Sequence, residues 1–279
     1  MDSGFIMSVL DDIASRVPKG SDTYTGDDGL LYCSNCHTAQ QSRIEVFGII
    51  KTVPCVCKCM QEARQREDER RARRERMQEI KRFRDMGFTD RDMASHTFAM
   101  DDGANPALIR AAHAYVDHFK DFRKDGKGLL LYGSVGTGKS FVAACIVNAL
   151  IDLGYPCLMT NFSRLIDSVN AEWGERQMHL DGLSRFELIA IDDLGVERDS
   201  SYTNENVTVI VDSLYRAKVP LIITSNYTPK QLTGEEEIRR KRVYDRLLER
   251  CHPIEVTGES RRKEKGRKDY ATMKDILGI

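Results

Sequence analysis

The 279-residue chain has no run of about 18 uninterrupted apolar residues, so the usual transmembrane helix is excluded. It has no basic segment at its start either. MDSGFIMSVLDD carries acid from Asp2 onward, which does not read as a secretory signal. Net charge is also nearly absent, at 42 Lys and Arg against 43 Asp and Glu. Overall charge therefore steers the chain toward neither nucleic acid nor a membrane, and any such binding has to come from a local patch. No internal repeat is visible. The expectation is a cytoplasmic protein without a membrane partner.

Cysteine is scarce except in one place. Five of the eight lie between Cys33 and Cys59, while Cys145, Cys157 and Cys251 are scattered through apolar or helical surroundings. Without a leader, such a cluster reads as a metal site before a disulfide framework. YCSNCH and CVCKC supply a C-x₂-C pair and a C-x-C-x-C cluster, with twenty residues between Cys36 and Cys57. Two close pairs of thiolates separated by such a loop fit a structural tetrahedral Zn²⁺. Five cysteines compete for four places. Cys33, Cys36, Cys57 and Cys59 are the expected ligands and Cys55 the spare, with His37 as an alternative fourth ligand and an iron–sulfur cluster as the alternative group. So small a module buries too little core to fold alone, and metal would supply its folding energy.

Apolar periodicity at Phe5, Val9 and Ile13 predicts a short amphipathic helix over 5–17, which packs on its own domain or meets a partner. After the cysteines comes QEARQREDERRARRERMQEIKRFRD, dense in Arg and Glu. It reads as a solvated helical connector, and its slight basic excess admits a contact with a phosphate backbone. The resulting division is a zinc-binding module over 1–60, a charged helical connector over 61–87 and an α/β domain over 88–279. In the last of these, solid apolar strands alternate with helices: GLLLYG, FVAACIVNALIDLG, YPCLMTNF, SRLIDSVNAEW, FELIAIDDLG, a helix near Glu205–Ala217, and VPLIITSN. This alternation predicts an α/β fold with a parallel sheet sandwiched by helices.

GSVGTGKS, comprising Gly133, Ser134, Val135, Gly136, Thr137, Gly138, Lys139 and Ser140, matches G-x-x-x-x-G-K-[ST] at every fixed position. Its glycines let consecutive N–H groups face phosphates, and the following helix adds the positive end of its dipole. Lys139 reaches the β- and γ-phosphates of ATP, and Ser140 holds Mg²⁺. LIAIDDLG delivers Asp192 and Asp193 to a strand end, where open α/β sheets carry their chemistry. Asp192 is the expected magnesium ligand and Asp193 the group that orients the attacking water. LIITSN ends in Asn226, an amide placed to hold that water and sense the γ-phosphate. Farther on, Thr233 with Glu236 reads as a capping box opening a helix that sets Arg242, Arg246 and Arg250 four apart.

GLLLYGSVGTGKS, FELIAIDDLG, VPLIITSNYT and KRVYDRLLERC, in this order, resemble the AAA+ ATPases. More narrowly they resemble the DnaC/DnaI-type helicase loaders and the related IstB transposition helpers, over about residues 88–262. The resemblance implies an AAA+ sheet of the ASCE kind, weak assembly-dependent ATPase activity, homo-oligomers joined through ATP sites, and delivery of a hexameric replicative helicase onto single-stranded DNA. It implies that Arg246 reaches the ATP of a neighbouring subunit, and that a late arginine, Arg262 with Arg261 competing, senses bound nucleotide. N-terminal zinc modules occur in the DnaI-like loaders, where they contact the helicase. Two departures stand out: Asp193 replaces the usual Glu, and too few residues follow Arg250 for a full helical lid. A transposition helper is the alternative. A free-standing P-loop kinase is a third reading, opposed by the trans-acting arginine and the lack of a substrate lid.

Overall fold

The computed structural model describes residues 22–46, 48–169, 173–195, 201–234 and 238–277. The amphipathic helix expected over 5–17 lies outside them. The chain divides between Met77 and Gln78 into two compact units, each described by itself.

In the first unit β1 (Thr23–Thr25) pairs antiparallel with β2 (Leu31–Cys33), and β3 (Gln41–Val46) with β4 (Ile49–Pro54). The Asp28 carboxylate accepts the Leu30 N–H at 3.0 Å and so closes the first turn. Among the described residues up to Met77, only Cys33, Gln40 and Cys57 are buried. Two ribbons with so little core cannot hold themselves together. Helix α1 (Lys58–Gly87) begins among the cysteines, and residues 61–79 are exposed on every side. Good helix formers and exposed pairs one turn apart, Glu62 with Arg66 and Arg71 with Glu75, sustain it without a buried face.

The second unit takes in the end of α1, where Ile80 and Phe83 enter an apolar core. Helices α2 (Pro106–Asp117) and α3 (Phe119–Asp125) follow, α2 being capped by Asn105, which accepts the Leu108 N–H. Then come β5 (Gly128–Tyr132), α4 (Lys139–Asp152), β6 (Cys157–Asn161), α5 (Phe162–Val169) and α6 (Trp173–Leu183). The unit continues with β7 (Leu188–Leu194), α7 (Ser201–Arg216), β8 (Leu221–Ser225), α8 (Pro229–Thr233), α9 (Ile238–Arg250), β9 (Cys251–Glu255) and α10 (Arg261–Leu277). The five strands form one all-parallel sheet in the order β6-β7-β8-β5-β9. Alternate strand residues enter opposite cores: Leu130, Ile189, Ile191 and Ile223 on one face, and Leu131, Leu188, Ala190 and Ile222 on the other. Apolar character on both faces is why these strands read as continuous hydrophobic runs. Among the described residues no helix is long and apolar enough to cross a membrane.

Three local expectations are corrected. The single helix expected at SRLIDSVNAEW ends at Val169, and a separate helix runs from Trp173 to Leu183. Thr233 is no N-cap: its hydroxyl donates to the Pro229 and Lys230 carbonyls at the end of α8. The observed capping box is Thr228 with Gln231, one helix earlier, while Glu236 lies outside the described residues. Strand β9 was not expected, because CHPIE contains Pro253. A proline is tolerated there because β9 is an edge strand paired only with β5.

Candidate nucleotide site and metal centre

The loop between β5 and α4 sits at the carboxyl end of the sheet. Gly136 has φ +84°, and a Cβ on it would collide with Ser260. The Arg261 N–H donates to the Gly136 carbonyl at 2.9 Å, so the start of α10 is tied to the loop. Lys139 is 5% exposed, and its ammonium donates to the Gly133 and Ser134 carbonyls and to Asn226 Oδ1 at 2.8–2.9 Å. Burial draws its pKa below the usual lysine range, against the raising effect of Asp193 and Asp192.

Asp192 and Asp193 close β7, where the ladder to β8 slips between Ile191 and Leu194. Asp193 has φ +58°, a left-handed conformation that Asp tolerates better than most residues. Thr224 of β8 joins the two acids. Its hydroxyl donates to Asp192 Oδ1 at 2.5 Å and accepts the Asp193 N–H at 2.9 Å. The Asp193 carboxyl is raised above its ordinary range, first by burial and then by the Asp192 charge, with Arg262 and Lys139 opposing.

Lys139, Ser140, Asp193, Asn226, Arg261 and Arg262 line one cavity of about 350 Å³. Asp192 lies behind it, turned to Thr224. Arg261 is engaged by Asp102 at 2.6 Å and lies over the Phe141 ring, whereas Arg262 is felt electrostatically by Lys139 and Asp193. Sequence reasoning missed Met93, His96 and Phe141, which also line the cavity. The buried Asn148 amide holds the first two in place by donating to their carbonyls at 3.1 and 2.9 Å. His96 Nδ1 is buried with no hydrogen-bond partner among the described residues. That orphaned atom, the glycine-lined loop and the three cations fit a nucleotide polyphosphate with its base.

Arg246 is not brought to this cavity. It is ion-paired with Asp212 of α7 and lies 5.7 Å from the Tyr215 ring centre, while Arg250 stacks on that ring at 4.0 Å.

In the first unit the sulfurs of Cys33, Cys36, Cys57 and Cys59 lie within 4.8 Å of one another. A tetrahedron of Zn–S bonds near 2.3 Å has edges of about 3.8 Å. The Cys57–Cys59 and Cys33–Cys59 distances of 3.3 and 3.6 Å are close to that. The thiols share protons: Cys36 is drawn down to about 5, chiefly by the Thr38 hydroxyl, while Cys59 is pushed up to about 12 by the sulfurs around it. Cys55 stands apart and donates its S–H to the Ala39 carbonyl. His37 is not in the cluster; its ring lies against Tyr24.

The family model for IstB-like ATP binding proteins matches residues 55–269. The chain belongs to this family. It is 25% identical over 189 residues to the replicative helicase loader DnaI of Bacillus subtilis, covering 63% of this chain and 61% of that protein. It is 29% identical over 146 residues to the replicative helicase loader DnaC of Escherichia coli, covering 50% of this chain and 56% of that protein. The matches thus span about three fifths of these relatives' length. A crystal structure of DnaI superposes with a TM-score of 0.52 at 24% identity, over 63% of this chain and 96% of that one. The likeness confirms the AAA+ P-loop fold.

Proposed function

We propose that the chain is an ATP-dependent helicase loader acting in DNA replication. It binds the replicative helicase hexamer and delivers it to single-stranded DNA, with ATP hydrolysis to ADP and phosphate controlling assembly and release. The observation that carries this reading is one cavity collecting Lys139, Asp193, Asn226 and Arg262, in a chain similar to two loaders. The four-cysteine cluster ahead of the ATP-binding unit supports a separate, zinc-held module over residues 1–60 that grips the helicase, with 61–87 as connector and 88–279 running the ATP cycle.

In this reading the loop from Gly133 to Ser140 wraps the phosphates, and Lys139 exchanges its carbonyl partners for phosphate oxygens. Ser140, and Asp192 through water, would hold Mg²⁺, which would supply charge neutralisation at the phosphates. Asp193 orients the attacking water and accepts its proton, a role suited to a carboxyl with a raised pKa. Asn226, released from Lys139, fixes that water beside the γ-phosphate. Arg262 contacts the nucleotide in its own chain, and Arg246 offsets charge in a neighbour's.

The likeness to IstB-like proteins, with that to a putative ATP-binding protein of a Mycobacterium tuberculosis insertion sequence, supports a second reading, a transposition helper that assembles on DNA and recruits a transposase. Affinity capture of the tagged chain from its native cell, with ATP present, separates the two. Recovery of the replicative helicase, lost on removing residues 1–60, is expected. Recovery of a transposase in its place would overturn the loader reading and leave the ATP site standing.

A further inference from the structure

Arg261 and Arg262 open α10 side by side, and both line the nucleotide cavity, but they are held differently. Neighbours in a helix lie about 100° apart around its axis, so whatever grips one sets the direction of the other. Arg261 is turned back over α4. Its Nη2 donates to Asp102 Oδ1 at 2.6 Å and lies 3.9 Å from Asp101 Oδ1. Its guanidinium is 5.7 Å from the centre of the Phe141 ring, and a Cβ on Gly138 would come within 2.9 Å of its Nη1. Burial pushes the Cys145 thiol of α4 up to about 12, with Asp101 adding to the rise and Arg261 opposing it. Arg262 is exposed, and its charge reaches Lys139 and Asp193 instead.

The start of α10 needs such a grip. Between β9 and α10 the chain passes through Gly258 at φ +143°, where an added Cβ would meet nothing within 4 Å, so packing does not fix the helix there. Three ties do. The Arg261 N–H donates to the Gly136 carbonyl at 2.9 Å, and the Asn105 amide donates to the Thr257 carbonyl at 3.3 Å. Both hold backbone; the third tie, Asp102 on Arg261, grips a side chain of the first turn. Asp102 is itself set in place, since its Oδ1 also accepts the Ala104 N–H at 3.0 Å just ahead of α2. With 52% of the Asp102 side chain open to solvent, this ion pair adds little to stability. Its effect is one of direction.

We propose that Asp102 is a positioning residue for nucleotide binding, which by holding Arg261 back over α4 turns Arg262 toward the phosphates. Asp102 does not touch the nucleotide in this arrangement, and its influence passes through the two arginines. Without its charge the first turn of α10 loses its set direction, Arg262 is presented for only part of the time, and affinity falls by that fraction. The proposal deepens the nucleotide-site reading and rests on it, whichever partner the chain serves.

The test titrates the full chain, with Mg²⁺, against mant-AMPPNP, a fluorescent non-hydrolysable analogue of ATP. It compares D102N, R262Q and the double variant, and takes the Tm of each without nucleotide. Expected are a Kd roughly three- to tenfold weaker in D102N and about tenfold weaker in R262Q. The double variant should fall within about twofold of R262Q, because direction is worth nothing once the arginine is gone. The Tm of D102N should stay within about 2 °C of the unaltered chain. A loss that multiplies in full with that of R262Q, or that comes with a larger fall in Tm, would make Asp102 a structural residue and overturn the proposal. So would an R262Q chain that binds normally, an unchanged Kd in D102N, or tighter binding in D102N, which would make Arg261 a nucleotide contact that Asp102 restrains. No binding by the unaltered chain would overturn the nucleotide site and the proposal with it. Where the unaltered chain binds, failure here leaves that site and the loader reading standing.

Discussion

Thr224 occupies a position in a fully buried strand where valine would pack as well, and it is 1% exposed. Its hydroxyl is the link between the two acids of the neighbouring strand. Replacing it with valine keeps the volume but removes the donor to Asp192 and leaves the Asp193 N–H without its acceptor. Thr224→Val is expected to lower ATP turnover about tenfold to a hundredfold and raise the Mg²⁺ requirement, with Thr224→Ser recovering most of the loss. Turnover against Mg²⁺ concentration at saturating ATP checks it; a pure loss of stability with unchanged turnover would remove Thr224 from the site. The motif residues were legible because their types and spacing are fixed by phosphate chemistry. Thr224 was not, because its partners come from strand register rather than from its own neighbours. Glu187 makes a second residue-scale case. Arg123 Nε is 3.0 Å away but makes no hydrogen bond to it, and burial raises the carboxyl above its usual range despite that cation. A carboxyl raised on folding costs nothing below its ordinary pKa, and the cost appears as pH rises through the shifted value. Glu187→Gln is therefore expected to raise Tm by roughly 1–3 °C near pH 7.5, with the gap closing toward pH 4. A gap that widened on acidification would contradict this.

At the scale of elements, the two hairpins of the first unit contrast with the sheet of the second. Strands β5 to β8 are legible as solid apolar runs, since each is buried on both faces. Helix α6 and edge strand β9 are less so, one for its weak periodicity and the other for its proline. The hairpins have no hydrophobic pattern that would fold them. They have four sulfurs close together and Gln40, whose buried amide donates to Cys57 Sγ at 3.7 Å. Structural zinc in such a module contributes on the order of 10 kcal/mol, more than two ribbons of this size could supply. Chelation with phenanthroline is expected to abolish the protease resistance of residues 22–60 and leave the melting of the ATP-binding unit within about 2 °C of its starting value. Cys33→Ser should reproduce the effect and Cys55→Ser should not, since the Cys55 thiol is turned to the Ala39 carbonyl and stands outside the four-sulfur cluster. Limited proteolysis with mass mapping reads all three. Equal sensitivity of Cys55→Ser would mean that the ligand set is different.

At the scale of the whole molecule, Arg246 is held where its own nucleotide cavity cannot use it. Its guanidinium is neutralised by Asp212 and rests near Tyr215, whose hydroxyl donates to Glu249 at 2.8 Å. In the proposed reading such a cation would act on ATP from one chain to another, and there it would have to leave Asp212. Assembly would then both create the catalytic contact and compete with an internal one, which would keep turnover low in the isolated chain. Turnover per chain is accordingly expected to rise steeply with protein concentration. Arg246→Ala should cut it about a hundredfold or more at concentrations where the unaltered chain is assembled, with nucleotide affinity unchanged. Asp212→Asn, which frees the arginine, should shift the concentration dependence to lower values. The decisive measurement mixes two inactive chains. Lys139→Ala retains the arginine but loses the phosphate grip, while Arg246→Ala retains the grip but loses the arginine. If Arg246 works in trans, a one-to-one mixture pairs intact loops with intact arginines at a fraction of interfaces, and activity returns to roughly a quarter of the unaltered level by random mixing. If Arg246 only ties α9 to α7, each chain keeps its own defect and the mixture stays as inactive as its parts.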